Sequence, residues 1–191
     1  MVQLRSVGIA LIGGAALSLM AAGCSTMAGV HPADAETTPA PASQEAIATL
    51  RTGDGAQVGT ATATELPDGG VRIAIDAHDL PPGVHGAHVH TTGRCAPPDF
   101  ASAGGHWNPT GTHHGISNPE NPKPHAGDMP NLMIGTNGEG SLAVNLPAGT
   151  FAGLMDADGS ALVIHAGADD LKSDPSGNSG ARIACGVFMA A

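Results

Sequence analysis

Residues 57–77 read QVGTATATELPDGGVRIAIDA. In Val71-Arg72-Ile73-Ala74-Ile75-Asp76 the apolar Val71, Ile73 and Ile75 fall on one face of an extended chain, with Arg72 and Asp76 on the other. That is the period of a half-buried strand. Pro67-Asp68-Gly69-Gly70 supplies turn chemistry between this run and QVGTATATEL, and Gly53-Asp54-Gly55 separates that run from AIATLRT. Three alternating runs joined by short turns make a β-meander. Outward toward the C-terminus, further strands are expected at GAHVH, NLMIGT, GSLAVNL, ALVIHA and RIACGVF, with Asn137-Gly138 and Asp158-Gly159 as turn signals. Eight strands in a domain of this size predict an all-β fold, an eight-stranded Greek-key barrel or sandwich.

Composition agrees. With 28 glycines and 15 prolines in 191 residues, the longest stretch after Gly53 free of both is residues 71–80, so a long helix has nowhere to form. One Trp, three Phe and no Tyr leave the core to Val, Ile, Leu and Ala. Seven Lys and Arg against 17 Asp and Glu, for a net charge of -10, exclude the basic surface that nucleic-acid binding requires.

The N-terminus has Arg5 followed by an apolar run from Val7 to Ala22, of export-signal length and short for a membrane span. The run ends in Leu19-Met20-Ala21-Ala22-Gly23-Cys24, which resembles the lipobox of bacterial lipoproteins, with Ala21 where Leu is more usual. Residues 1–23 are therefore expected to be a lipoprotein-type signal peptide and Cys24 the acylated first residue. An ordinary secretory signal cleaved nearby is the alternative. Residues 24–44, rich in Ala, Pro, Thr and Ser, are expected to be a flexible tether, and 45–191 the folded domain. The expected location is the periplasm or cell envelope, with the protein held to a membrane by lipid. Ser25 after the cysteine favours the outer membrane over the inner. Export also permits disulfides.

Residues 91–130 refuse the strand pattern, and about forty residues is far beyond an ordinary connection. This loop carries Cys95 and four of the chain's ten histidines, so a disulfide and metal are the candidates for ordering it. His88 and His90 stand two apart on an expected strand, so both imidazoles project from one face and can chelate one ion. H-x-H alone is a weak signal, since a solvated strand face explains it as well. Downstream come His106, the pair His113-His114, and His125-Ala126-Gly127-Asp128; three imidazoles, one of them from the adjacent pair, and a carboxylate are a candidate tetrahedral zinc set. His165 closes an apolar strand and is followed by Asp169-Asp170. By itself it reads as a satisfied core residue.

The order of these segments, over roughly residues 45–191, resembles the Cu,Zn superoxide dismutase family, whose sandwich-class architecture is known. The resemblance implies copper ligands His88, His90, His106 and His165, and zinc ligands His106, His114, His125 and Asp128, with His106 bridging the two metals. It implies that Asp169 links His88 to His114 through their outer nitrogens, and that Cys95 pairs with Cys185. Arg182, in Gly180-Ala181-Arg182-Ile183-Ala184-Cys185-Gly186, takes the place of the arginine that attracts the anion at the copper, electrostatic attraction being an established property of the family in general. His106 and Arg182 are thus the expected catalytic residues. On reduction the copper side of the His106 bridge is expected to open and take a proton. His85 resembles a histidine packed beside the copper strand; His78 and His113 receive no role.

The segment LKSDPSGNSG (171–180) is shorter than the charged loop of eukaryotic members, and residues 94–100 insert around Cys95. Both features look like the bacterial branch, with Lys172 as a substitute steering charge. The expected activity is dismutation of superoxide to oxygen and hydrogen peroxide, with one copper and one zinc per subunit. Monomer and homodimer are both left open. The rival reading is a noncatalytic, lipid-tethered copper or zinc binding module on the same scaffold.

Overall fold

A computed structural model describes residues 43–119 and 123–191. The expected leader, Cys24 and nearly all of the tether lie outside the described residues. Ten strands follow in chain order: β1 (Glu45–Thr52), β2 (Gln57–Glu65), β3 (Val71–Ala77), β4 (Gly83–His85), β5 (Ala87–His90), β6 (Leu132–Ile134), β7 (Gly140–Asn145), β8 (Ala161–His165), β9 (Arg182–Val187) and β10 (Met189–Ala190). The eight expected strands are all present. The short β4 and β10 are additions that sequence periodicity does not reveal.

β1, β2 and β3 form the meander, each antiparallel to the next, with Ala61 opposite Ile75 and Ala48 opposite Ala61. One antiparallel sheet runs in the order β5-β8-β9-β1-β2-β3-β7, with β10 added against β1. This curled, non-sequential order is that of the all-β barrel the sequence predicts. β4 pairs with β6 as a separate two-stranded piece, and Gly140 lets β7 lie directly against the Met133 carbonyl. The only described α-helix is a single turn, Phe151–Leu154, capped by the Thr150 hydroxyl accepting from the Gly153 amide at 3.1 Å.

Burial follows the alternation. Ala46, Ala48 and Leu50 of β1, and Val71, Ile73 and Ile75 of β3, point into an aliphatic core, while Arg72 and Asp76 stay outside. β5 and β8 depart from this half-buried pattern, being buried along their whole length. Their second face is covered by the long loop. Leu162 and Ile164 join the main core, whereas Ala161 and Val163 pack into a second cluster with Phe100, Ala103 and Cys185. His165 shares the parity of Ala161 and Val163, so the strand delivers it to the loop side. His88 and His90 reach the same side of β5 while Val89 enters the main core.

Among the described residues of 91–130 only a three-residue 3-10 turn, Ala101–Ala103, is regular. The order of this loop comes from the Cys95–Cys185 disulfide, with Cα atoms 5.7 Å apart, and from isolated bridges of His90 to His106 and His88 to Asp128.

Candidate metal centre

Among the described residues, four buried ring nitrogens have no hydrogen-bond partner: His88 Nδ1, His90 Nε2, His106 Nε2 and His165 Nε2. A buried polar atom without a partner costs roughly 1–3 kcal/mol. Four such atoms converging on one spot are therefore not a packing accident. These four histidines can place one nitrogen each within 4.8 Å of all the others. Their opposite nitrogens are occupied. His90 Nδ1 faces the Gly104 carbonyl at 2.9 Å, His165 Nδ1 the Gly180 carbonyl at 3.2 Å and His88 Nε2 an Asp169 oxygen at 2.7 Å. Each outer N–H donates to an oxygen, so the tautomer is fixed and the lone pair points inward. Burial, aided by neighbouring imidazoles and Arg182, holds His90 down to about 2 and His165 down to about 3. Burial likewise holds His106 down to about 4, although Asp128 pulls the other way. The inward nitrogens of His90, His106 and His165 are thus unprotonated at neutral pH, the state a copper ion needs.

The second set meets on the other side of His106. Asp128 Oδ1 lies 2.9 Å from His106 Nδ1, 3.0 Å from His114 Nδ1 and 3.3 Å from His125 Nδ1, and the His106 and His125 Nδ1 atoms are 3.5 Å apart. A tetrahedron with metal–ligand bonds of about 2.0–2.1 Å has edges of about 3.3–3.4 Å. The set therefore has the dimensions of a zinc site. Asp128 Oδ2 is pinned by the amides of Gly115 at 2.8 Å and His125 at 3.1 Å, which aims Oδ1 at the three rings. Burial would raise the Asp128 carboxyl, but the hydrogen bonds from His106, His114, His125 and Gly115 outweigh it and hold the group far below the usual range. His114, with a carboxylate at each nitrogen, is raised to about 9 despite burial. That proton sits where the cation would.

Asp169 joins the sets. Its Oδ2 accepts from His88 Nε2 at 2.7 Å, and its Oδ1 accepts from His114 Nε2 at 3.0 Å and from the Leu171 amide at 2.6 Å. His88, His114 and Asp169 are close enough to suggest a third metal group, but these separations are hydrogen bonds and the inner nitrogens of both rings serve the other two sets. Two supporting residues were not singled out from the sequence. Asn131 clamps the Asp169 main chain, accepting from its amide at 2.8 Å and donating to its carbonyl at 2.9 Å. Gly177, at φ 62°, passes so close that a Cβ there would overlap Asp169 Oδ1 and lie 2.7 Å from His114 Nε2. Gly177 reads as a loop glycine and Asn131 as the first residue of the expected strand NLMIGT, and nothing local distinguishes either.

Arg182 opens β9 opposite His165 of β8. Its guanidinium donates to the carbonyls of Phe100 at 2.7 Å and Gly104 at 2.6 Å. Gly104 is also the acceptor for His90, so the cation is fixed beside the four-nitrogen set. His85 is buried, with its ring nitrogens facing the carbonyls of His165 at 2.7 Å and Pro81 at 2.8 Å, so it braces the end of β8. His113 points away to Asp174 Oδ2 at 2.8 Å, and the exposed His78 pairs with Asp79 at 2.9 Å. Of the adjacent pair, His114 is the one brought into the nitrogen–oxygen set.

The family model described as copper/zinc superoxide dismutase matches residues 57–188. Superoxide dismutase (Cu-Zn) 2 of Aquifex aeolicus is 46% identical over 150 residues, covering 75% of this chain and 86% of the relative. The Cu-Zn superoxide dismutase of Caulobacter vibrioides is 41% identical over 150 residues, covering 75% and 84%. Among solved structures, the Cu/Zn superoxide dismutase from Brucella abortus aligns with a TM-score of 0.63 at 32% identity, covering 76% of this chain and 99% of that one. A SOD-like protein from Bacillus subtilis gives 0.69 at 42%, covering 75% and 97%.

Proposed function

Since this chain belongs to the copper/zinc superoxide dismutase family, with both metal-ligand sets intact, we propose that it dismutates superoxide to oxygen and hydrogen peroxide and does so in the cell envelope. The observation that carries the first half is the convergence of four partnerless nitrogens beside a fixed guanidinium. Copper held by His88, His90, His106 and His165 would supply one-electron exchange with superoxide, and zinc held by His106, His114, His125 and Asp128 would supply a redox-inert charge.

The chain's residues do the rest. His88, His90 and His165 hold their inward lone pairs by the outer hydrogen bonds described above. His106 differs from them, because its outer nitrogen is held by the zinc set and not by an oxygen alone. Its ring is therefore anchored through Nδ1 independently of Nε2, and Nε2 is the atom at which a proton would be held for the product. Arg182 provides attraction for the anion. In a chain of net charge -10 the bulk field repels superoxide, but charges beyond about 10 Å are screened at ordinary ionic strength, and the cation nearest the mouth decides. A storage or delivery module would need neither Arg182 at that place nor a bridging ring between two sets.

Metal analysis and a dismutation assay on the same sample test this reading. The Arg182→Glu protein is expected to keep both metals yet show a lower second-order rate, and the rate of the unaltered protein should fall more steeply with salt than that of Arg182→Ala. A loaded protein that binds both metals without dismutating superoxide would leave the binding module standing. Equal rates for Arg, Ala and Glu at low salt would remove Arg182 from the mechanism.

The envelope half rests on the leader, on the small-residue motif before Cys24 and on a disulfide that suits an oxidising compartment. Of three cysteines, two are joined to each other, which leaves Cys24 for a separate task. Intact mass of the protein from its native membrane should show a lipid-modified chain beginning at Cys24, attached to the outer membrane. An unmodified N-terminus, or cleavage elsewhere, would refute the anchor.

A further inference from the structure

We propose that Asp174 is a positioning residue for the zinc set, gripping it from outside as Asp169 does from within and acting on zinc without acting on copper. The inference rests on the assignment of zinc to His106, His114, His125 and Asp128. Asp174 lies in the Ser173-Asp174-Pro175 turn before β9, far in sequence from the histidines it meets. Its Oδ1 accepts from the His114 amide at 2.6 Å, its Oδ2 accepts from His113 Nδ1 at 2.8 Å, and Oδ1 stands 4.0 Å from His125 Nε2. That last atom is the outer nitrogen of a ring whose Nδ1 belongs to the zinc set. One carboxylate thus faces the main chain of one zinc histidine and the ring of a second.

The contact is part of a seam. The Ser117 amide donates to the Leu171 carbonyl at 3.1 Å, Asn118 Nδ2 to the Lys172 carbonyl at 3.2 Å, and Gly115 lies against Leu171 so closely that a Cβ would overlap its carbonyl. From the 171–180 side of this seam, Asp174 is the described carboxylate that reaches both His114 and His125, from the face opposite to Asp128 Oδ1 at the His125 ring. Charge-assisted bonds to a backbone amide are stronger than neutral ones, and here the bond fixes the segment from which the His114 ring hangs. Among the described residues, none of the Asp174 hydrogen bonds goes to His88, His90 or His165. Asp169, by contrast, touches a ring in each set. The two carboxylates therefore divide their work: Asp169 holds both metals, and Asp174 holds zinc.

The test uses the copper- and zinc-loaded holoprotein, transferred into excess chelator, with each metal remaining on the protein followed by elemental analysis. Asp174→Ala is expected to speed zinc release roughly 10-fold, the lower end of what loss of a residue supporting a ligand costs, while copper leaves at the wild-type rate. Asp174→Asn keeps an acceptor for the His114 amide and is expected to recover most of the difference. Co(II) placed in the zinc set of the copper-free protein adds a readout of geometry, and its visible bands are expected to shift in the alanine variant. Equal acceleration of both metals, with a lower Tm of the metal-free protein, would reduce Asp174 to a general loop support and overturn the proposal. Unchanged zinc release in both variants would overturn it too. The zinc assignment is checked on the unaltered protein alone, which must take up one equivalent of Co(II); failure there overturns the assignment itself, whatever the variants do.

Discussion

Replacing Asp169 by asparagine is expected to loosen copper and zinc together, each held roughly 10- to 100-fold less tightly. The carboxylate accepts from His88 on one oxygen and from His114 on the other. An amide has one acceptor and one donor, so whichever way it turns its NH2 opposes a ring N–H. The opposed ring must change tautomer, which turns its metal-facing lone pair into an N–H, or swing away. Loss of the negative charge lowers the basicity of both rings in either orientation. Since the carboxyl is held well below its usual range by these two rings and the Leu171 amide, against the opposing effect of burial, it is fully ionised at neutral pH and the whole charge is removed. Competition with a chelator, read for each metal separately, checks this. Full retention of either metal would show that Asp169 does not couple the sets.

The second large effect is expected from the disulfide. Changing Cys95 and Cys185 together to alanine opens a 90-residue loop, which in the chain-entropy account removes about 4–5 kcal/mol of stability, a large share of what a domain of this size possesses. Alanine is preferable to serine because Cys185 is buried, and a hydroxyl there would need a partner. The loss should appear in urea titrations of the metal-free protein, where metal binding cannot compensate. The same change frees the segment carrying the Phe100 carbonyl, one of the two anchors of Arg182. A loss below about 1 kcal/mol would mean that the loop is ordered by packing of Phe100 and Ala103, and not by the covalent link.

Much of this was legible in the chain, for identifiable reasons. Strand alternation is written in residues 71–76 because one face must be apolar and the other wet. His88 and His90 announce a shared face by their spacing. The long loop announces that something besides periodicity orders it. β4 was missed since three residues, Gly83-Val84-His85, hold no period, and β10 since its two residues hold none either. Asn131 and Gly177 support Asp169 from distant positions, and their roles depend on contacts that form only when the loops meet. Asp174 reads locally as a turn former before proline, a sufficient explanation until its carboxylate is seen against His114. The arrangement of ligands was visible through family resemblance; the orphaned nitrogens that make it physically compelling were visible only in three dimensions.

The Gly104 carbonyl takes one hydrogen bond from His90, a ring of the copper set, and another from Arg182. Substitution can exchange side chains, but it cannot delete a main-chain oxygen. The grip on the redox ion and the lure for the anion are therefore joined at an atom that point mutation never removes. A lineage drifting away from this chemistry could discard the arginine or the histidine, yet it could not retune one while leaving the other's footing untouched. Heritable adjustment of reactivity has to pass through the shape of the loop that carries that oxygen.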